Sequence, residues 1–397
     1  MTIANVASSH GPDSLDLFAH SEDVPMYSFN DWELEKLLGT GGFATVYSIR
    51  TRKRSRSGLQ QFWGGDHAAP RAAELTMSAS EESSTNNVHS DRSANESSNS
   101  SMGLSDSSSS HERSTPLSRM ALKTLNEKVL SDVISARRAT VDLRNEVDIL
   151  WKKLPHSNPY CVQLHGVSEG FFNDRLDFAK IFLLLERVDT TLDRKIQNWK
   201  QEHQSPIRGV RGFFRNPRKL FRTPHHLSAE IQAHRIRKVA LGIAHAIQFL
   251  HSHRIIFRDL KPQNVGILAN GQIKLFDFAS AKYLPTDSST LNSRVGTLRY
   301  MAPEVAKRDK YSFSADIYSL GMVLWEICVL EKPFKMIKDK IELQSMVQAV
   351  HPTIAKIASP SLQSLLLACW NRAPEERPSA SFVVGWLQEE VNEFGVQ

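Results

Sequence analysis

The sequence predicts an α+β protein of two unequal lobes, the smaller a small antiparallel β-sheet with one key helix and the larger mostly helical. Three observations carry this. Short strand-like segments gather before Val188, long helix-like segments dominate after it, and a long Ser-rich stretch interrupts the strand-rich part without apolar residues to bury. Strands first and helices afterwards is the pattern of segregated layers, not of alternating strand–helix units.

Residues 1–26 show little periodicity and read as a disordered tail. From Asp31, Trp32-Glu33-Leu34 alternates with the strand period of two. It leads into Leu38-Gly39-Thr40-Gly41-Gly42-Phe43-Ala44-Thr45-Val46-Tyr47, which reads as strand, glycine turn and strand. From Ser78 to Ser118 the chain carries 17 serines among Asn, Asp and Glu. Too little apolar surface is available there to offset ordering, so residues 51–118 are expected to form a disordered insertion. Loop closure costs only about 0.6 kcal/mol per doubling of length, which a large domain absorbs.

Order is expected to return at Met120-Ala121-Leu122-Lys123, a short apolar strand. Ala139 to Leu150 has helical spacing, and Val162-Gln163-Leu164 and Ile181 to Leu185 read as strands. Leu227 to Ser252 reads as one amphipathic helix capped by Ser228. Phe313 to Leu330, apolar nearly all round, reads as a buried central helix. The domain is expected to span residues 27–395, with lobes at about 27–187 and 188–395 and a second, basic insertion at 203–226.

Composition narrows the class. Three cysteines, Cys161, Cys328 and Cys369, are far apart and form no metal-ligand pair, so they are expected to be free buried thiols in a reducing compartment. No secretory signal is visible, and the longest apolar stretch, Ile181 to Leu185, is too short to cross a bilayer. A cytoplasmic or nuclear protein without a transmembrane segment is expected. Much of the net charge of +6 sits in two clusters: Arg50, Arg52, Lys53, Arg54 and Arg56, then Arg208, Arg211, Arg215, Arg218, Lys219 and Arg222. Each reads as a solvated loop, or alternatively as an import signal or a docking site for phosphates or acidic surfaces. No specific nucleic-acid partner is expected.

The chemistry-bearing residues fall in a fixed order. Gly39-x-Gly41 alone is weak, since glycine pairs serve plain hairpins. It is followed by Lys123 at the end of an apolar strand and Glu146 on the next helix. Ile256-Phe257-Arg258-Asp259-Leu260-Lys261-Pro262-Gln263-Asn264 follows the long helix, Asp277-Phe278-Ala279 follows a strand, and Ala302-Pro303-Glu304 closes the segment. Singly, each residue has an ordinary structural reading; their order and spacing do not. The set resembles the eukaryotic protein kinase family over about Tyr27 to Glu393. Lys261, two residues after Asp259, together with Gly296-Thr297, resembles the serine/threonine type. Cys369-Trp370, Pro374 and Arg377-Pro378 resemble the tyrosine-kinase-like group.

That resemblance implies a bilobal protein kinase fold that binds ATP with Mg2+ and phosphorylates protein serine or threonine hydroxyls. Phosphoryl transfer needs little covalent chemistry and much positioning of charge. Gly39 and Gly41 would let backbone N–H groups approach phosphate oxygens. Lys123, held by Glu146, would meet the α- and β-phosphates. Leu38, Val46, Ala121, Glu186 and Val188 would border the nucleotide. Asn264 and Asp277 would offer Mg2+ the hard oxygens it prefers. Asp259 would accept the proton of the acceptor hydroxyl, Lys261 would neutralise the phosphate in transit, and Asn264 completes the catalytic loop. Arg377 would pair with Glu304, and Asp316 would brace the catalytic loop.

Four positions depart from the family pattern. Ala44 replaces a glycine, Phe257 a histidine and Ala279 a glycine, while Gly266 stands where relatives place a leucine under the adenine ring. Gly266→Leu is therefore expected to improve ATP binding, and Ala279 to cost on the order of 1–2 kcal/mol if its backbone is left-handed. A catalytically weak kinase-fold scaffold or signalling adaptor is the alternative, but it need not keep every charged group. Between Asp277 and Glu304, Ser293 lies four residues before Thr297. A phosphate placed there by an upstream kinase, or on the neighbouring Ser288, Ser289 or Thr290, would pair with Arg258 and order the segment.

Overall fold

The N-terminal part folds around a sheet whose central strand is buried on both faces. The computed structural model describes residues 24–52, 120–173, 177–204 and 224–394. Most of the tail and most of both insertions lie outside the described residues. Six strands form the sheet: β1 (Met26–Tyr27), β2 (Trp32–Thr40), β3 (Ala44–Thr51), β4 (Met120–Leu125), β5 (Leu164–Ser168) and β6 (Phe182–Glu186), in the order β1-β5-β6-β4-β3-β2. The sheet is antiparallel as expected except at its edge, where β1 runs parallel to β5 with Met26 opposite Val167. Val24, the first described residue, is itself in the core.

All six residues of β4 are buried. Met120 and Leu122 meet Trp32, Ile49, Phe182 and Leu184 on one face. Leu125 joins Leu183 and Leu185 in the main core on the other, where α2 (Val133–Val147) packs after the single turn α1 (Glu127–Leu130). Asp132 caps α2 by accepting from the Ile134 and Ser135 N–H groups. Such a carboxylate offsets orphan N–H groups at the helix start.

The second lobe is helical: α3 (Leu192–Gln204), α4 (Pro224–Arg235), α5 (Leu241–Ser252), α6 (Pro303–Lys307), α7 (Ser314–Val329), α8 (Lys340–Ala349), α9 (Pro360–Cys369) and α10 (Ala380–Phe394). The expected helix from Leu227 begins at Pro224 instead, with Ser228 inside it, and a π-helical segment at Ile236–Ala240 separates α4 from α5. Proline suits a first turn because its missing N–H is an orphan there anyway. Every residue of α7 from Ala315 to Cys328 is buried, as a central helix requires. Short strands complete this part: β7 (Thr190–Thr191), β9 (Val265–Ile267) and β10 (Ile273–Leu275) form one sheet, β8 (Ile255–Ile256) and β11 (Lys282–Tyr283) another. Val162, expected in a strand, instead donates its N–H to the Leu275 carbonyl at 2.9 Å, just before β5 begins. The three cysteines are free and buried. No helix among the described residues is long and apolar enough to cross a membrane.

Candidate active site

Strand register sets the first group of site residues. Lys123 on β4 stands opposite Val46 on β3, and Val46 opposite Gly39 on β2. Ala121, two residues before Lys123, shares its face because side chains alternate along a strand. Lys123 Nζ lies 2.6 Å from Glu146 Oε2 and 2.8 Å from Asp277 Oδ1. The Glu146 side chain is fully buried, and its Oε1 accepts the Phe278 N–H at 3.3 Å. Burial opposes the charge on Lys123, but Asp277 and Glu146 outweigh it and raise the lysine pKa. Burial likewise pushes the Asp277 carboxyl up, yet Lys123 overcomes it and holds the group below its ordinary value. The lysine is cationic and Asp277 ionised.

A second polar cluster forms on the loop that carries Asp259, Lys261 and Asn264. Lys261 Nζ donates to Asp259 Oδ2 at 2.6 Å and to Thr297 Oγ1 at 3.0 Å, while Thr297 Oγ1 donates to Asp259 Oδ1 at 2.7 Å. Asn264 Nδ2 donates to the Asp259 carbonyl at 2.9 Å and to its Oδ2 at 3.1 Å. Gly296 (φ 106°) lets the segment pass this close: a Cβ there would stand 2.3 Å from the Arg258 carbonyl oxygen. The clusters meet because the Phe276 N–H donates to the Asn264 carbonyl at 3.1 Å, just before Asp277. Beneath them, Asp316 accepts the Phe257 and Arg258 N–H groups, each at 2.8 Å, and pairs with His251 Nε2 at 2.9 Å. Arg377 grips Glu304 through two bonds of 2.6 and 2.8 Å. Both bracing contacts expected from sequence are present.

The glycine loop is held by its own backbone, the Gly41 N–H donating to the Ala44 carbonyl at 2.7 Å. A Cβ at Gly39 or Gly42 would meet no atom within 4 Å, and neither residue has positive φ. The protein itself does not demand glycine there, which fits a loop that must admit a ligand against its backbone. Leu38 is half-buried and its carbonyl accepts from Arg194 at 3.3 Å. The Glu186 carboxylate is engaged by the buried Lys274 at 3.0 Å.

One expectation fails here, and the condition attached to another is not met. A Cβ on Gly266 would lie 2.4 Å from Val188 Cγ1 and 3.2 Å from the Lys274 carbonyl oxygen. Val188 already fills the space, so leucine at 266 cannot improve the floor. Ala279 bears no left-handed strain: the positive φ of 68° belongs to Asp277, and Ala279 sits in the 3₁₀ turn Phe278–Ser280. Phe257, by contrast, stays in the core as expected, meeting Phe278 edge-on with ring centroids 5.2 Å apart.

Comparison with known proteins agrees with this geometry. The model of the protein kinase domain family matches residues 116–386. The chain belongs to the protein kinase family. Serine/threonine-protein kinase STY17 of Arabidopsis thaliana is 34% identical over 159 residues, 40% of this chain and 28% of that protein. Mitogen-activated protein kinase kinase kinase 12 of Rattus norvegicus is 38% identical over 141 residues, 35% of this chain and 16% of that protein. Serine/threonine/tyrosine-protein kinase HT1 of Arabidopsis thaliana is 32% identical over 167 residues, covering 42% of each. The chain thus spans less than half the length of these relatives.

Several residues of this kinase domain were not singled out from sequence. Asn145 donates to the carbonyls of Phe278, Ala279 and Ala281 at 2.9–3.2 Å, tying α2 to the segment after Asp277. Its only signal was its place beside Glu146. The Tyr311 hydroxyl donates to the Ser293 carbonyl at 2.8 Å and lies 3.3 Å from Arg258 Nη1. Arg299 donates to the carbonyls of Pro333, Phe334 and Ile337. Each contact crosses a long stretch of chain that local sequence pattern cannot see.

Proposed function

We propose that the chain is an active serine/threonine protein kinase, transferring the γ-phosphoryl group of ATP to protein hydroxyls. The observation that carries this reading over a scaffold is the closed Lys123–Glu146–Asp277 network. A buried lysine without its carboxylates would be costly, and a pure scaffold has no use for the set. In this reading Asp259 orients the acceptor hydroxyl and takes its proton, and Lys261 neutralises charge on the phosphate. Lys123 meets the α- and β-phosphates, Gly39 and Gly41 present backbone N–H groups, and Leu38, Val46, Ala121, Glu186 and Val188 border the nucleotide. The domain occupies residues 27–395, interrupted at 51–118 and 203–226.

The donor set suits magnesium. Among the described residues no cluster of three or more His, Cys, Asp or Glu could hold a metal. Asn264 and Asp277 instead provide two hard oxygen donors, few enough that substrate phosphates and water complete the shell, as Mg2+ prefers. Bound there, the ion would neutralise phosphate charge. Three buried, unpaired cysteines support a reducing compartment, cytoplasm or nucleus.

Regulation is proposed at Ser293, by an upstream kinase or by this chain itself. Ser293 Oγ lies 3.3 Å from Arg258 Nη1 and 3.4 Å from the Tyr311 hydroxyl. A phosphate there would form charge-assisted bonds to the guanidinium next to Asp259.

The test is incubation of purified chain with γ-labelled ATP, magnesium and a mixture of Ser, Thr and Tyr peptides. The reading expects magnesium-dependent label on Ser and Thr. Absence of transfer, or label on Tyr alone, would overturn it.

A further inference from the structure

Helix α2 turns Glu146 inward, and its outer face is open. Val133, Ile134 and Val141 are 59%, 62% and 63% exposed. Arg137 and Arg138 lie exposed between them. Neither arginine forms a salt bridge with a described residue. At 3.6 residues per turn the five side chains fall within an arc of about 140°. Single exposed apolar residues need no explanation, but three along two and a half turns of one helix, framed by two exposed arginines of which one also acts on the capping Asp132, make a binding face. The edge of this face is Asn145, which holds the segment after Asp277.

We propose that residues 13–23 of the same chain cover this face. The sequence Asp13-Ser14-Leu15-Asp16-Leu17-Phe18-Ala19-His20-Ser21-Glu22-Asp23 sets four carboxylates around Leu15, Leu17 and Phe18. That is the complement of three aliphatic side chains and two arginines. The segment enters the fold at Val24, beside Pro25, whose carbonyl accepts the β5 Val167 N–H at 2.9 Å, and just beyond β5 the Phe171 carbonyl accepts from Arg144 of α2 at 3.1 Å. Eleven extended residues reach about 36 Å, more than the roughly 22 Å length of the 15-residue α2. Tethering makes the encounter intramolecular, so modest contacts suffice. The docked segment loads the helix that carries Glu146 and Asn145, coupling the tail to the Lys123 ion pair.

The test is thiol labelling of the full chain. Val141→Cys and Phe382→Cys place single new thiols at sites of similar exposure, 63% and 57%, while the native cysteines are buried. A fluorescent maleimide should modify Val141→Cys at least tenfold more slowly than Phe382→Cys at low salt. Leu17→Asp/Phe18→Asp in the Val141→Cys background should bring the two rates within about twofold, and the protection should not depend on protein concentration. Equal rates in the unaltered background would overturn the proposal, because the face is then open. Protection that survives Leu17→Asp/Phe18→Asp would assign the cover to another segment, and protection lost on dilution would assign it to a second copy. Either result overturns docking by residues 13–23. Both thiols replace exposed side chains, so neither change empties the core.

Discussion

A methyl group at position 266 would stand 2.4 Å from Val188 Cγ1, inside any tolerable contact. Gly266→Ala should therefore lower stability by about 1–3 kcal/mol through overpacking, and Val188→Ala added to it should restore part of the loss. Thermal unfolding and ATP titration of the three chains check this; no recovery in the double variant would mean that Val188 is not the obstacle. Glu326 makes a second residue-scale prediction. Burial pushes its carboxyl up to about 7, against the pull of the Tyr300 hydroxyl, which donates to it at 2.6 Å. A carboxyl raised in the folded state binds more protons there than when unfolded, so its contribution falls as pH rises from about 4.5 to 7. Glu326→Gln keeps an acceptor for Tyr300 and removes the charge. Its unfolding free energy should gain on that of the parent as pH rises from 5 to 8, by roughly 2–3 kcal/mol, read from denaturant midpoints at each pH. A difference that stays flat with pH would contradict the assignment. Position 266 also shows the limit of motif reading. The missing leucine was visible in the sequence, but its replacement came from residue 188, which strand β9 meets only in three dimensions.

At the scale of elements, the segment from Asp277 to Glu304 is the part most open to control. Arg258, itself at φ 68°, reaches Ser293 with one nitrogen and the Ser280 carbonyl with another. Phosphorylated chain should turn over faster than phosphatase-treated chain, by roughly tenfold for 1–2 kcal/mol of added ordering, and Ser293→Ala should remove most of that difference. Initial rates on one peptide acceptor decide it; a phosphate response intact in Ser293→Ala but lost in Thr290→Ala would move the switch to position 290. Legibility at this scale followed burial. The helix Ser314–Val329 was plain because its residues are apolar nearly all round, and β4 because Met120-Ala121-Leu122 follows sharply on the Ser-rich stretch. Helix starts were less plain. Pro224 lay inside what read as a basic loop, yet it opens α4, and the π segment Ile236–Ala240 leaves no mark in apolar periodicity. The Asp259, Lys261 and Asn264 cluster was legible because its members lie within one short motif. The carbonyl bonds of Asn145 and Arg299 were not, because their partners lie 133 to 136 and 34 to 38 residues away.

Across the whole molecule, two buried polar contacts brace the helical lobe, the first beneath the loop that carries Asp259 and the second between α6 and the chain after α9. Asp316 collects two backbone N–H groups and His251, and Arg377 joins Glu304 to the Ser314 and Asn371 carbonyls. Arg377→Ala would strand a buried carboxylate and should cost about 3–5 kcal/mol, read as a lower denaturant midpoint; a loss below about 1 kcal/mol would mean that water replaces the guanidinium. The two-lobed plan itself was readable from composition, since strand-like segments precede Val188 and helical ones follow. The lobes' meeting was not, because it rests on bonds such as the Val162 N–H to the Leu275 carbonyl and Asn145 to the Phe278 carbonyl. In the proposed function Asp259 performs the chemistry on a nucleotide held by other residues. Single-turnover transfer from ATP to a serine peptide, measured beside ATP affinity in parent and Asp259→Asn, tests it most directly. The predicted result is a transfer rate lower by roughly 10²–10⁴ with ATP affinity within about twofold; equal transfer rates in the two chains would contradict it.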